Sequence, residues 1–190
     1  MNQDVHLAFA PDVTYARLVR ERATAHLAPL LGRIALATAV IGTSVAVAAT
    51  GRVSIELVTT LGVSWSFALL VQAFAAAAVI VPARARRVTT ARAFELWFRA
   101  HLPWTVWFLV PAGVFGLTGV HFSETVLFAG ALVPLAWTIL VLRAFGRQVL
   151  GVARVGAMAT VHQVIVWGLT LSYIAFAIGG WDRVLEELGL

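Results

Sequence analysis

The sequence predicts an all-α integral membrane protein: a bundle of five transmembrane helices, with one or two short amphipathic interfacial helices on the cytoplasmic side. Three observations predict it. Of 190 residues, 61% are hydrophobic and only 12% charged, about half the charge density of an ordinary soluble domain. The apolar residues gather in runs long enough to cross a hydrocarbon core of about 30 Å as helices, which satisfy their own backbone groups where water cannot. The arginines crowd every second connection between those runs and are sparse in the others.

The N-terminal segment, residues 1–28, begins with polar and acidic residues and has no basic stretch leading into a short apolar one. It therefore predicts no cleaved signal peptide, with the first span acting as the insertion signal. Within "PDVTYARLVRERATAHLAPL", Asp12 is placed to cap a helix. Tyr15, Leu18, Val19 and Arg22 follow at helical spacing, and Pro29 suits the first turn of the next helix.

The first span runs from Pro29 to Thr50, with Arg33 near its start able to snorkel to the interface. The second lies between Glu56 and Pro82, the third between His101 and His121, the fourth between Glu124 and Arg143, and the fifth between Arg154 and Asp182. The membrane domain is then 29–181, followed by a short extracytoplasmic tail, 182–190. Between the second and third spans, "TTARAFELWFRAH" places Phe94, Trp97, Phe98 and His101 on one helical face. Arg92, Glu95 and Arg99 fall on the other, with Glu95 set to pair Arg99 one turn on. An aromatic face opposite an arginine face predicts a helix lying flat among headgroups.

All the basic residues are arginine. Arg17, Arg20, Arg22 and Arg33, then Arg84, Arg86, Arg87, Arg92 and Arg99, then Arg143, Arg147 and Arg154 fall on one side of a five-span chain; only Arg52 and Arg183 fall on the other. Positive residues stay inside, which predicts a cytoplasmic N-terminus and an extracytoplasmic C-terminus. Lysine-free, Ala-, Val- and Gly-rich composition points to a bacterial source, hence the cytoplasmic (inner) membrane. The net charge of +5 would suggest nucleic acid in a soluble protein. Here the charge lies between apolar spans, so membrane lipids are the expected partner and nucleic acid is not. Arg84, Arg86, Arg87, Arg92 and Arg99 are the candidate contacts to anionic lipid.

Inside the spans the polar candidates are Gln72, His162 and Gln163, which either hydrogen-bond between helices or mark a functional site. His101 and His162 lie near the same membrane face and would make a two-imidazole site if their helices meet. Two histidines alone leave a metal site incomplete. Gly113, Gly116 and Gly119 beside Pro111, and Ala73 to Val79, read as close-packing faces. Trp97, Trp104 and Trp181 read as interfacial aromatics. With no Ser–His–Asp set, phosphate loop or paired carboxylates in the sequence, neither catalysis nor a cofactor is expected.

The stretches "FAPDVTYARLV", "ARAFELWFRAHLPWTVWFLVPAG" and "LRAFGRQVLGVARVGAMATV" resemble, in order, the pre-membrane helix, the basic loop with its proline-containing third span, and the last cytoplasmic connection of the Yip family. These are small five-span membrane proteins named for contact with Rab-type GTPases. The likeness covers roughly Phe9 to Gly180. It implies a helical bundle without known catalysis and supplies no site residues. The expected function is an interaction, assembly or membrane-organising factor, working with a membrane-protein partner or as a homo-oligomer. The alternatives are a small transporter, channel or lipid-handling protein, or a haem-binding redox subunit.

Overall fold

The computed structural model describes residues 3–21, 27–83, 86–120, 122, 124–152, 163–165 and 168. These form eight helices, α1 (Gln3–Phe9), α2 (Pro11–Glu21), α3 (Leu27–Thr50), α4 (Ile55–Ser64), α5 (Phe67–Ile80), α6 (Thr90–Arg99), α7 (Leu102–Thr118) and α8 (Glu124–Phe145), with a π-helical turn, Gly146–Leu150, closing α8. Among the described residues there is no strand. Ala28–Val47, Thr90–Thr118 and Ala129–Leu150 are each long and apolar enough to cross a membrane, and the bent pair α4–α5 makes a fourth if its halves form one span. The fifth predicted span lies outside the described residues, apart from helical Gln163, Val164, Ile165 and Gly168.

Three of the expected elements look different in the structure. The second span is broken at Trp65–Ser66 and bent by 41°. Two serine hydroxyls flank the break: Ser64 donates to the Thr60 carbonyl at 2.8 Å and Ser66 to the Val63 carbonyl at 2.7 Å. Such back-bonding competes with the helical ladder and bends it. A separate helix, α1, precedes α2. Asp12 does not cap α2; it sits in its first turn and accepts from Arg147 and Gln148 of the π turn.

The third difference concerns α6. The sequence predicts a separate helix among headgroups; α6 and α7 instead run together as the 29-residue candidate span Thr90–Thr118, joined by a single turn at Ala100–His101. Both of its faces are covered. Val88, Ala93, Leu96, Trp97 and Ala100 belong to a core shared with Tyr15 and Leu18 of α2, Ala76 and Ile80 of α5, and Leu142, Phe145 and Leu150 at the end of α8. The strongly amphipathic pattern of α6 thus faces protein on either side, where the sequence suggested lipid and water.

Close helix approach also falls elsewhere than expected. α3 and α4 cross at Gly42 and Gly62. A Cβ on Gly42 would run into the Val58 carbonyl oxygen, and one on Gly62 would stand 2.8 Å from the Thr38 carbonyl oxygen. Glycine is what lets these backbones touch. Gly113 and Gly116 of α7, by contrast, meet nothing within 4 Å, so among the described residues they are no packing face.

Candidate functional site

The polar chemistry of the described residues gathers at one end of the bundle, where α1, α2 and α6 meet the ends of α5 and α8. The loop after α5 is tied in by its backbone, the Arg87 N–H donating to the Val149 carbonyl at 2.9 Å. At the centre is Glu95. One of its oxygens accepts from Arg92 at 2.6 Å and the other from Arg99 at 3.2 Å. The side chains of Arg92 and Glu95 are only 6% and 3% exposed, and that of Arg99 is 12% exposed.

The expected pairing of Glu95 with Arg99 is present, but the expected wet face is not. Arg92 and Arg99 turn inward, where Glu95 supplies both with a counter-charge and Gln3 and Asp4 of α1 lie against Arg99. A buried charge is tolerable only when paired and hydrogen-bonded, and these two are.

The network continues into α1 and α3. The Asp4 carboxylate accepts from Arg33 through both oxygens at 3.1 Å and lies 3.4 Å from Arg99. Gln3 also accepts from Arg99, at 3.4 Å. Arg33 is therefore engaged within the bundle, its side chain 24% exposed. Its partner was hidden from sequence reasoning because Asp4 is 29 residues away. The available signal was Arg33 itself: a charge inside an apolar run asks for a counter-ion.

Beside the charges lies an aromatic group. Phe145 meets Tyr15 edge-on at 5.7 Å and Trp97 at 5.5 Å, a favoured geometry for ring quadrupoles. The Tyr15 hydroxyl donates to the Leu96 carbonyl at 3.1 Å, and burial pushes its ionisation well above the ordinary range. Trp97, expected at an interface, is fully buried. Trp137 does the equivalent for α1, donating its indole N–H to the Ala8 carbonyl at 2.8 Å and packing on Phe9.

The remaining predicted site residues do not join this cluster. Arg84 and His162 lie outside the described residues. Arg86 is half-buried and donates to the Ile80 carbonyl at 3.4 Å, closing the end of α5. Gln72 is buried on α5 and its Oε1 accepts no hydrogen bond among the described residues; Gln163 is buried too. His101 uses its Nδ1 against the Trp97 carbonyl at 3.1 Å. Among the described residues no three of His, Asp or Glu gather as a metal site.

The arrangement can hold short elements together through desolvated ion pairs and can offer guanidinium groups to an anion. It has no nucleophile set beside a base among the described residues. Comparisons with protein-family profiles, with curated proteins and with solved structures find no match for the chain. The likeness to the Yip family accordingly rests on the sequence pattern alone.

Proposed function

We propose that the chain is a non-enzymatic, multi-pass protein of the bacterial cytoplasmic (inner) membrane that acts as an interaction, assembly or membrane-organising factor of the Yip-like type. On this reading it has five spans, a cytoplasmic N-terminus and an extracytoplasmic C-terminus. The observation that carries it is the set of three to four membrane-length helices whose charged side chains, at one end, are engaged with one another. An enzyme or pump needs such groups turned toward a substrate or ion path; here Asp4 joins α1 to Arg33 of α3 and Arg99 of α6, and Glu95 pairs Arg92 and Arg99 within α6. The arginine asymmetry between connections supports the orientation.

The test is a native pull-down from the source membrane with reconstitution of the purified chain alongside. A reproducible membrane-protein partner, or a defined homo-oligomer, is expected. Turnover of a solute or lipid by the reconstituted chain alone would overturn the reading. Because cysteine is absent, single introduced cysteines can map topology. Charge reversal at Arg86 and Arg87 is expected to disturb it.

A second reading, a small transporter, channel or lipid-handling protein, is favoured by the break at Trp65–Ser66 with Gln72 buried beyond it. Discontinuous helices with polar groups at membrane depth build many transport sites. Solute flux from proteoliposomes that is lost in Gln72→Leu would move the assignment to this class.

A further inference from the structure

Among the described residues of the ion-pair network, three guanidinium groups, Arg33, Arg92 and Arg99, face two carboxylates, Asp4 and Glu95. The Nε–H groups of Arg92 and Arg99 are buried and donate to nothing among the described residues. Clustered guanidinium groups with idle donors in a desolvated site attract an anion. The two carboxylates differ in how firmly they are placed. Glu95 is deep and belongs to the same helix as its two arginines. Asp4 is 22% exposed and comes from α1, a helix of 7 residues. Besides Asp4 and Gln3, α1 is held by buried Leu7 and Ala8, by Phe9 packed on Trp137, and by the Trp137 bond to the Ala8 carbonyl.

We infer that Arg33 and Arg99 form a seat for the phosphate of an anionic phospholipid headgroup, that Asp4 occupies this seat in place of the phosphate, and that headgroup binding displaces Asp4 and lifts α1 from the bundle. Both Asp4 oxygens take the Nη2 of Arg33, a donor that two phosphate oxygens would take as well, since guanidinium binds either group. A phosphodiester also carries further acceptor oxygens for the idle Nε–H of Arg99. The source is lipid because Arg33 and Arg99 both lie within candidate spans, Ala28–Val47 and Thr90–Thr118, and near the same end of the bundle. The guanidinium cluster selects a headgroup without its own cation, phosphatidylglycerol over phosphatidylcholine. This inference rests on the membrane reading above.

The experiment uses the full chain with nitroxides on Val5→Cys of α1 and Leu140→Cys of α8, both exposed positions, in vesicles of phosphatidylcholine with or without phosphatidylglycerol. Phosphatidylglycerol is expected to raise the ratio of long to short distances roughly tenfold, the size of one charge-assisted hydrogen bond lost or gained. Asp4→Asn should open α1 in phosphatidylcholine alone. Arg33→Gln should abolish the difference between the two vesicles. An unchanged distance distribution in both vesicles, or Asp4→Asn remaining closed, overturns the inference. Opening by inorganic phosphate in phosphatidylcholine vesicles overturns the assignment to lipid. Vesicle flotation separates the two readings: a chain that floats with α1 unmoved defeats this inference alone, whereas a chain that does not float defeats both.

Discussion

The two ends of this bundle are built on different principles. At the arginine end, α1, α2, α6 and the ends of α5 and α8 bury Trp97, Tyr15, Phe145 and Leu142 almost completely, and desolvated ion pairs tie the elements together. Toward the other end the described helices bare more apolar surface, Leu117 at 89% and Ile55 at 87%, beside Phe9 at 76% and Val13 at 71% on the arginine end. In water such a surface would be a liability; in a bilayer it is the solvent-facing side. The contrast teaches that the arginine end carries its own tertiary specificity, through packing and charge. Away from it, contacts include the Gly42–Gly62 crossing, the Ser44 hydroxyl bond to the Phe108 carbonyl at 2.9 Å, and buried Ala46, Val47 and Ala131.

The sharpest way to break this contrast is to remove the shared counter-ion. Glu95→Gln leaves Arg92 and Arg99 buried with no carboxylate of their own helix. Removing one partner of a buried pair costs about 3–5 kcal/mol, so this substitution is expected to give the largest loss of thermal stability in detergent. A double substitution with Arg92→Leu should recover part of that loss, because it removes the stranded charge as well. If Glu95→Gln unfolds no earlier than the native chain, the arginine end is not held by its ion pairs.

The next largest effect belongs at the helix crossing. Gly42→Ala puts a methyl group against the Val58 carbonyl and 2.9 Å from the Gly62 nitrogen. Both are backbone atoms that move only with their helix. Forcing extra volume into such a contact costs typically about 1–3 kcal/mol. The measurement is again the unfolding midpoint, together with a distance between labels on α3 and α4, which is expected to lengthen. An unchanged separation would mean that the crossing is looser than the backbone geometry requires.

These two sites also show what was legible in the sequence. Three to four membrane-length apolar helices were readable because hydropathy over about 20 residues reports the cost of burying backbone in lipid. The Glu95–Arg99 pairing was readable because it is local, one helical turn apart. What Trp97 and Arg92 face was not readable. An amphipathic period states that two faces differ, not which surroundings each one meets, and here α1, α2, α5 and α8 supply those surroundings from distant parts of the chain. Asp4 with Arg33, Tyr15 with Phe145, and Asp12 with Arg147 are all long-range pairs invisible to periodicity. The glycines mislead for a related reason. Gly113 and Gly116 carry the visible repeat, yet Gly42 and Gly62, alone on their helices' contact lines, make the contact.

A smaller effect is expected where the arginine end meets solvent. Asp12 and Arg147 pair at 2.6 Å with side chains 46% and 44% exposed, so the pair contributes roughly 0.2–1 kcal/mol. The hydrogen bond from Arg147 holds the Asp12 carboxyl below its ordinary value of 3.8, with Gln148 helping. A folded-state value below the unfolded one means that the contribution is present above the ordinary carboxylate range. It is lost as pH falls through and below it. The difference in midpoint between the native chain and Asp12→Asn should therefore be constant near neutrality and shrink below about pH 4. A difference that grew on acidification would remove the pair from the account of this end.

The smallest effect is expected on the bare surface, where it tests the other half of the contrast. Gly113 faces open space on α7, so Gly113→Ala adds a methyl group that meets only the surroundings of the bundle. Nothing in the described fold opposes it, and alanine is the better helix former by about 1 kcal/mol. Stability in detergent should be unchanged or slightly raised, the opposite sign from Gly42→Ala in a chain with the same chemical change. If Gly113→Ala instead lowers the midpoint by as much as Gly42→Ala, then this face is covered in the assembled protein, and the far end too owes its stability to close packing. Comparing the two alanines in one preparation thus decides whether the described far end is a lipid-facing surface or an occupied one.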